Sequence, residues 1–235
     1  MNSIDLIIFD CDGVLIDSEP LAARTLAEAV TRGGLPMTAY DVLVEFTGKS
    51  EPEIRAILET RGLENIEAVF SAWHAEIFAT FRRELKVMAG MEDVLRALDV
   101  AKCVASNSSV RRLKASLGLL DIWDEFAPHV FSAEMVAAPK PAPDLVQLCL
   151  LKMAVTNTRS LLVDDSAAGI MAARAAGVKA IGFVAPSDPR PGRRELLLQA
   201  GAQAVAFGTA ELHELIGELV HRRQSVQASV GGLGS

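Results

Sequence analysis

Short apolar runs of strand length recur along the chain, and amphipathic segments with helical periodicity lie between them. The runs lie at residues 6–9, 103–106, 129–132, 161–163, 180–184 and 204–207. Serine before an amphipathic segment and glycine after it mark helix boundaries, as in the segment between Ser166 and Gly177. Strands that alternate with helices predict an α/β fold with a doubly wound parallel sheet.

One stretch departs from this alternation. Residues 18–86 show helical pattern throughout, and four aromatic residues fall there at helical spacing, which predicts core positions: Phe70, Trp73, Phe78 and Phe81. We therefore expect a small helical domain at 18–86, inserted just after the first strand. Residues 1–17 and 87–223 would form the main domain, and the Gly/Ser-rich residues 224–235 a flexible tail. The two connections, near 17–19 and 86–90, would lie close together and act as hinges.

Polar residues follow three of the predicted strands directly. They are Asp10 and Asp12 after the first strand, Ser106 and Asn107 after the second, and Asp164 and Asp165 after the strand at 161–163. In a doubly wound sheet, ligands bind outside the carboxyl ends of the strands, near the point where the strand order reverses. Any one cluster would fit an ordinary loop or helix cap, but the three together indicate a shared crevice.

Carboxylates that converge in such a crevice repel one another unless a cation lies among them. Ligand sets made only of oxygen suit Mg²⁺, and a carboxylate can attack phosphorus to form an aspartyl-phosphate. Phosphoryl transfer also needs positive charge near the transferring group, and Lys140 in the segment AAPKPAPDL is the candidate. The flanking prolines fix its backbone, and Asp144 would cap the next helix. A surface lysine in a proline-rich turn is the alternative interpretation.

The composition excludes several classes of function. The formal net charge is −7, and the basic pairs are scattered, which argues against a nucleic-acid or membrane-surface partner. The three cysteines are widely spaced, without the pattern of a disulfide framework or a zinc site. No apolar run approaches the ~18 residues of a membrane span. We expect a cytoplasmic monomer that acts on a small molecule.

The segments DCDGVLIDSE, SNSS, PKPAPDL and VDDSAAG stand in the order and spacing of four motifs of the haloacid dehalogenase-like superfamily. The chain resembles the branch that contains beta-phosphoglucomutase, phosphoglycolate phosphatase and sugar-phosphate phosphatases. The resemblance covers nearly the whole chain. It implies a Rossmann-like core with an inserted all-helical cap domain, and a Mg²⁺-dependent phosphoric monoester hydrolase.

The resemblance also implies catalytic roles. Asp10 would be the nucleophile, and Asp12 the general acid for the leaving alcohol and then the base that activates water. Ser106 and Asn107 would bind phosphoryl oxygens, and Lys140 would balance charge. Dehalogenases of the superfamily lack an acid two residues after the nucleophile, because halide leaves without a proton. Asp12 therefore favours phosphoryl transfer over dehalogenation.

The metal site is implied in the same way. Mg²⁺ would be held by Asp10, by the backbone carbonyl of Asp12 and by Asp165. Asp164 would support the ion directly or through water. Family members often have Glu-Asp or Gly-Asp at the last pair, and Asp164 with Asp165 keeps the ligand chemistry.

The cap loop at 46–51 is expected to set specificity. Gly48 would allow close approach of the substrate, and Lys49 would meet an anionic group; a solvent-facing lysine is the alternative. Mutases of the branch carry a lysine before this glycine, an arginine three positions after it and a histidine near the first motif. This chain has Thr47, Glu51 and Ala22 there. Hydrolysis of a sugar or sugar-acid phosphate is therefore preferred, with a phosphomutase as the alternative.

Two non-enzymatic functions use similar residues. A phosphorylatable receiver module also combines aspartates, a hydroxyl and a lysine, but its acids are adjacent and it has no helical insert. A metabolite sensor on the same fold would not need both Asp10 and Asp12.

Overall fold

A computed structural model describes residues 3–49 and 51–221 of the chain. Its six-stranded sheet is parallel at every pairing, in the order β3-β2-β1-β4-β5-β6. The strands are β1 (Leu6–Phe9), β2 (Ala101–Ser106), β3 (Val130–Ser132), β4 (Ser160–Asp164), β5 (Lys179–Val184) and β6 (Ala204–Phe207). Each of the six predicted runs overlaps one strand. β1 and β6 have the predicted bounds, and β3 begins one residue later than predicted. The other three strands extend one or two residues beyond the prediction, because the added end residues, such as Lys102, Asp164 and Lys179, are less apolar than the strand centres.

Helices cover both faces of this sheet. Those outside the insert are α5 (Met91–Ala97), α6 (Val110–Ala115), α7 (Asp144–Met153), α8 (Ala167–Ala175), α9 (Arg193–Ala200) and α10 (Gly208–His221). Along β1, Ile7 and Phe9 join one hydrophobic cluster while Leu6 and Ile8 join the other. A strand buried on both faces needs a continuous apolar run rather than an alternating one. This explains why β1 is apolar throughout, and the predicted doubly wound α/β fold is confirmed.

The insert after β1 is helical, as predicted. It contains α1 (Glu19–Arg32), α2 (Ala39–Phe46), α3 (Glu51–Thr60) and α4 (Ile66–Glu84). Phe70, Trp73 and Phe81 on α4 are buried, and Phe78 packs against the same cluster while partly exposed. The fold is therefore a Rossmann-like core with an inserted all-helical cap. The domain bounds of 18 and 86 remain a prediction.

The two connections between core and cap lie side by side. The amide of Asp17 donates to the carbonyl oxygen of Lys86 at 3.1 Å, and the amide of Met88 donates to that of Leu15 at 2.9 Å. Backbone hydrogen bonds thus join the segment that leaves the core to the segment that returns to it, and the outgoing segment belongs to the first motif. Hinge motion at this point remains a prediction.

One local prediction was wrong. Asp144 does not cap α7: it is the first helical residue, and Pro143 occupies the capping position. The Asp144 carboxylate instead accepts a hydrogen bond from the amide of Ala138 at 3.2 Å, which stabilises the loop before the helix. The predicted tail at 224–235 lies outside the described residues. Within the described part of the chain, no helix combines the length and apolar character needed to cross a membrane.

Candidate active site

The strand order brings the three predicted polar clusters together. β1 lies between β2 and β4, so Asp10, Ser106 and Asp164 come from adjacent strands at the same edge of the sheet. The connections run to opposite sides of β1, which makes this edge the switch point of the sheet. The crevice predicted from the sequence is therefore present at the carboxyl ends of these strands.

Lys140 occupies the centre of this crevice. Its Nζ lies 2.6 Å from Asp10 Oδ1 and 2.7 Å from Asp164 Oδ2, and it also donates to the carbonyl oxygen of Ala105 at 2.9 Å. The lysine side chain is only 3 % exposed. Burial alone would lower the pKa of Lys140, but the carboxylates of Asp10 and Asp164 outweigh burial and raise it, so the ammonium stays charged. A surface lysine in a turn is thereby excluded.

Asn107 fixes the backbone of this lysine. Its side-chain nitrogen donates to the carbonyl oxygen of Lys140 at 2.9 Å, and its oxygen accepts from the Lys140 amide at 3.0 Å. Ser106 is buried, and its Oγ accepts from the amide of Ser108 at 3.1 Å. Phosphate binding by Ser106 and Asn107 remains a prediction. What the structure shows is that the Asn107 side chain links the end of β2 to the backbone of Lys140.

Asp164 is fully buried, and both of its oxygens are engaged. Oδ1 accepts from the amide and the hydroxyl of Ser166, and Oδ2 accepts from Lys140. The carboxylate packs directly on Gly169 of α8, where an added Cβ would stand 1.8 Å from Oδ2. Only glycine allows this approach, which explains the glycine in the fourth motif.

Asp165 lies at the open side of the same cluster. Gly13, which has a φ of +76°, leaves room beside it: an added Cβ would come within 2.9 Å of Asp165 Oδ2. Burial raises the pKa of Asp165 well above its usual value, reinforced by the neighbouring charges of Asp164, Asp10 and Glu19. Arg193 counteracts this only in part.

The cluster fits a divalent cation. Ligand oxygens of Asp10, Asp164 and Asp165 all lie within 4.8 Å of one another. Burial raises the pKa of Asp10 to about 7, although Lys140 opposes the shift. The charge of one lysine thus does not offset the negative charge of the three carboxylates. All of the candidate ligand atoms are oxygens, which Mg²⁺ prefers. Metal binding by Asp10, Asp164 and Asp165 and by the backbone carbonyl of Asp12 remains a prediction.

Asp12 lies in a different environment. Its Oδ1 accepts from Ser18 Oγ at 2.7 Å and from Arg112 Nη2 at 3.1 Å, and its Oδ2 accepts from Ser108 Oγ at 2.7 Å. Burial would raise the pKa of Asp12, but the Arg112 guanidinium and the hydroxyl donors outweigh burial and hold it below its usual value. Arg112 also packs over the Phe81 ring of the cap, 5.3 Å from its centroid.

Several residues of the site were missed from the sequence. Ser108 lies within the second motif and Arg112 shortly after it, and Ser18 and Glu19 end the first motif, so their positions gave a signal. Glu19 accepts a hydrogen bond from Thr47 of the cap loop, and burial with the nearby charge of Asp12 raises its pKa. Arg193 lies far from any motif, and no pattern pointed to it.

The structure does not bring the two cap residues to this cluster. Gly48 has a φ of +85° with open space around it, and Lys49 is exposed. Among the described residues, neither forms a hydrogen bond or ion pair with the acidic groups. Their roles in substrate binding remain predictions.

Comparison with known proteins gives the family. The sequence profile of the haloacid dehalogenase-like hydrolases matches residues 7–183. The chain is 30 % identical over 194 residues to 6-phosphogluconate phosphatase of Escherichia coli K12, across 81 % of this chain and 87 % of that protein. Such relatives confirm the prediction of an enzyme of the phosphoric monoester hydrolase class.

Solved structures agree. A haloacid dehalogenase-like protein of unknown function from Agrobacterium tumefaciens C58 is 31 % identical, with a TM-score of 0.81 over 97 % of this chain and 99 % of that one. A hydrolase of the same family from Deinococcus radiodurans R1, with bound phosphate and sodium, is 25 % identical. Its TM-score is also 0.81, over 93 % of this chain and 97 % of that one. The chain therefore belongs to the haloacid dehalogenase-like hydrolase family.

Proposed function

We propose that the protein is a Mg²⁺-dependent phosphatase that hydrolyses a sugar or sugar-acid phosphate through an aspartyl-phosphate on Asp10. The observation that carries this proposal is the position of Lys140, which pairs with both Asp10 and Asp164 while a carboxylate oxygen of Asp165 lies within 4.8 Å of theirs. This arrangement provides a nucleophile, a fixed cation and a place for a second one. The names of the relatives support the substrate class.

In the first half of the reaction, Asp10 attacks phosphorus. Lys140 holds Oδ1, so Oδ2 is the oxygen left to form the new bond as the bond from phosphorus to the leaving oxygen breaks. Arg112, Ser18 and Ser108 favour the ionised form of Asp12 before substrate binds, so Asp12 takes up a proton as the anionic phosphate enters the crevice. It then gives this proton to the leaving oxygen, and the substrate leaves as a neutral alcohol. Lys140 meanwhile offsets the negative charge of the phosphoryl oxygens.

In the second half, water attacks the same phosphorus and releases Asp10. The ionised Asp12 takes the proton of this water, which restores the acid for the next cycle. Ser18, Ser108 and Arg112 keep the Asp12 carboxylate in one orientation. When bound by Asp10 and Asp165, Mg²⁺ supplies charge neutralisation for the transferring group.

The cap favours hydrolysis over the mutase alternative. Mutases need cations in this loop, whereas here Thr47 donates to Glu19, and Glu51 pairs with Arg55 and His74 at 2.8 Å each. Both positions are thus used inside the cap and carry no positive charge for a second phosphate. A cytoplasmic location and a monomeric state rest on the sequence alone.

The test is release of inorganic phosphate from a panel of phosphorylated metabolites. The panel includes hexose, pentose and sugar-acid phosphates, phosphoglycolate and nucleoside monophosphates, each with Mg²⁺ and with a chelator. We expect metal-dependent release that is fastest with sugar or sugar-acid phosphates. No release from any compound would contradict the proposal, and isomerisation of glucose 1-phosphate with a bisphosphate primer would then support the mutase.

A further inference from the structure

Two arginines lie beside Asp165: Arg190 in the loop that joins β5 to α9, and Arg193 at the start of α9. Asp188 of the same loop pairs with both arginines, and none of the three residues belongs to the four motifs of the sequence. The loop is tied to the first motif as well, because Ser187 Oγ donates to Asp17 Oδ1 at 2.7 Å. The loop therefore has a fixed position beside the acidic cluster.

Arg193 makes the closest of these contacts. Its Nη2 donates to the backbone carbonyl oxygen of Asp165 and lies 3.9 Å from Asp165 Oδ2. On the other side, its Nε forms an ion pair with Asp188 Oδ2 at 3.0 Å, without hydrogen-bond geometry. One guanidinium thus bridges the backbone of Asp165 and a second carboxylate.

This placement of an arginine is costly. Arg193 is the first residue of α9, where the helix dipole disfavours a positive charge, and its side chain is only 7 % exposed. Removing a charge from water is unfavourable unless partners compensate. Arg194, the next residue, shows the ordinary alternative, since it is exposed and lies over the Phe207 ring. The burial of Arg193 therefore points to a specific role for its contacts with Asp165 and Asp188.

Asp188 holds the second arginine of the loop as well. Arg190 donates to both Asp188 oxygens, at 2.7 Å each, and its Nη2 lies 4.0 Å from Asp165 Oδ2. The Asp188 side chain is 8 % exposed, so the three groups form a nearly enclosed unit. Within this unit, the carboxylate of Asp188 fixes two guanidinium groups that both face Asp165.

We propose that Arg193, held by Asp188, is a positioning residue that fixes Asp165 in the orientation needed to bind the divalent cation. This inference rests on the proposed function, in which Asp165 is a metal ligand. Arg193 acts through the backbone and carboxylate of Asp165 and does not touch the reacting atoms. Groups that orient metal ligands in this way typically contribute 10- to 100-fold to metal affinity.

The experiment is a calorimetric titration of Mg²⁺ alone into the full-length protein after treatment with a chelator. Arg193→Met keeps the length of the side chain and removes its charge and donors. We expect its Mg²⁺ affinity to fall about 10- to 100-fold. Arg194→Met makes the same charge change one residue away, and its affinity should equal that of the wild type.

A second readout separates positioning from folding. In assays of phosphate release, Arg193→Met should raise the Mg²⁺ concentration for half-maximal activity, and saturating Mg²⁺ should restore most of kcat. Asp188→Asn should shift the metal requirement in the same direction. If Arg193→Met does not fold, as judged by circular dichroism, Asp188→Asn and Arg193→Lys provide the same titration.

The outcomes distinguish the two proposals. Wild-type protein that binds no Mg²⁺ would overturn the metal-dependent function, and this inference with it. Wild-type binding with equal affinity in the folded Arg193 and Asp188 variants would overturn the positioning role alone. Equal losses in Arg193→Met and Arg194→Met would also overturn it, because the effect would then be one of net charge.

Discussion

Only Cys11 separates Asp10 from Asp12 in the sequence, yet their surroundings shift the two pKa values in opposite directions. Asp10 shares the floor of the crevice with Asp164 and Asp165, and burial raises its pKa to about 7 in spite of Lys140. Carboxylates outnumber cations on this floor. We therefore expect this floor to bind a cation from solution.

Asp12 instead points to the cap side of the crevice, where the protein itself satisfies it. Arg112, Ser18 and Ser108 all donate to its carboxylate, and they outweigh burial to hold its pKa below the usual value. Arg112 also contacts Phe81 of the cap. This difference supports the proposed separation of two tasks, in which the floor would bind the metal and the phosphoryl group and Asp12 on the cap side would transfer the proton.

The largest effect should follow loss of the nucleophile. Asp10→Asn keeps the shape of the side chain but cannot form the aspartyl-phosphate, so turnover of every substrate should fall at least about 10⁴-fold. Phosphate release measures this loss, with thermal unfolding as the control for folding. Retained activity would remove Asp10 from the role of nucleophile.

A smaller and substrate-dependent effect is expected at Asp12. Asp12→Asn should slow release of the sugar from its phosphate ester about 10²- to 10⁴-fold, because the leaving oxygen receives no proton. Nitrophenolate needs no proton to leave, whereas hydrolysis of the aspartyl-phosphate still needs the base. The variant should therefore release about one equivalent of nitrophenolate from p-nitrophenyl phosphate in a rapid burst, followed by slow turnover.

Stopped-flow absorbance measures this burst. The wild type is the control for turnover, and Asp10→Asn should show neither phase. Equal slowing of alkyl and aryl phosphates without a burst would contradict the separation of tasks between Asp10 and Asp12.

The charge deficit of the floor predicts how stability depends on pH. The folded pKa of Asp10 is about 7, above the ~3.9 of an unfolded aspartate, so the folded protein binds more protons between these values. The contribution of Asp10 to the free energy of unfolding of the metal-free protein should be greatest at low pH and should decline as pH rises towards 7. Bound Mg²⁺ favours the ionised form and should offset the decline.

Thermal unfolding with Mg²⁺ and with a chelator, at pH 5 and at pH 8, tests this. At an Mg²⁺ concentration about 100-fold above Kd, the gain at pH 8 should approach ~2.7 kcal/mol, and it should be smaller at pH 5. In the matched variant Asp10→Asn, the part of the pH dependence that comes from Asp10 should disappear, and the part that comes from Asp165, whose pKa is also raised, should remain. An equal Mg²⁺ gain at both pH values would contradict the charge deficit.

The sheet and the floor could be predicted because their signals are local. Buried parallel strands are apolar runs, and polar residues directly after them must share one edge of the sheet. Asp10, Ser106, Asp164 and Asp165 were predicted in this way, whereas Lys140 was chosen as the positive charge that phosphoryl transfer needs. Once three motifs lie at known strand ends, the topology brings them together.

The residues that the sequence did not reveal depend on tertiary packing. The pairing of the Asn107 amide with the Lys140 backbone was not predicted, because it depends on how one loop lies on another; phosphate binding by Asn107 stays a prediction. Arg193 reaches Asp165 across 28 residues of sequence, from the start of a different helix. Composition and periodicity do not predict such contacts, because a buried arginine and an exposed arginine at this position give the same sequence pattern.

The smallest effect is expected at the cap loop, because its residues have no proposed part in the chemistry of Asp10 and Asp12. Lys49 is exposed, and an exposed ion pair contributes at most ~1 kcal/mol. Lys49→Ala should therefore raise KM for a sugar-acid phosphate up to about 5-fold, leave kcat nearly unchanged and have less effect on a neutral sugar phosphate. Lys152→Ala, an exposed lysine on α7, is the matched control. An unchanged KM would show that Lys49 is a solvated surface residue that does not bind the substrate. A large loss of kcat would show instead that the cap loop takes part in the chemical step.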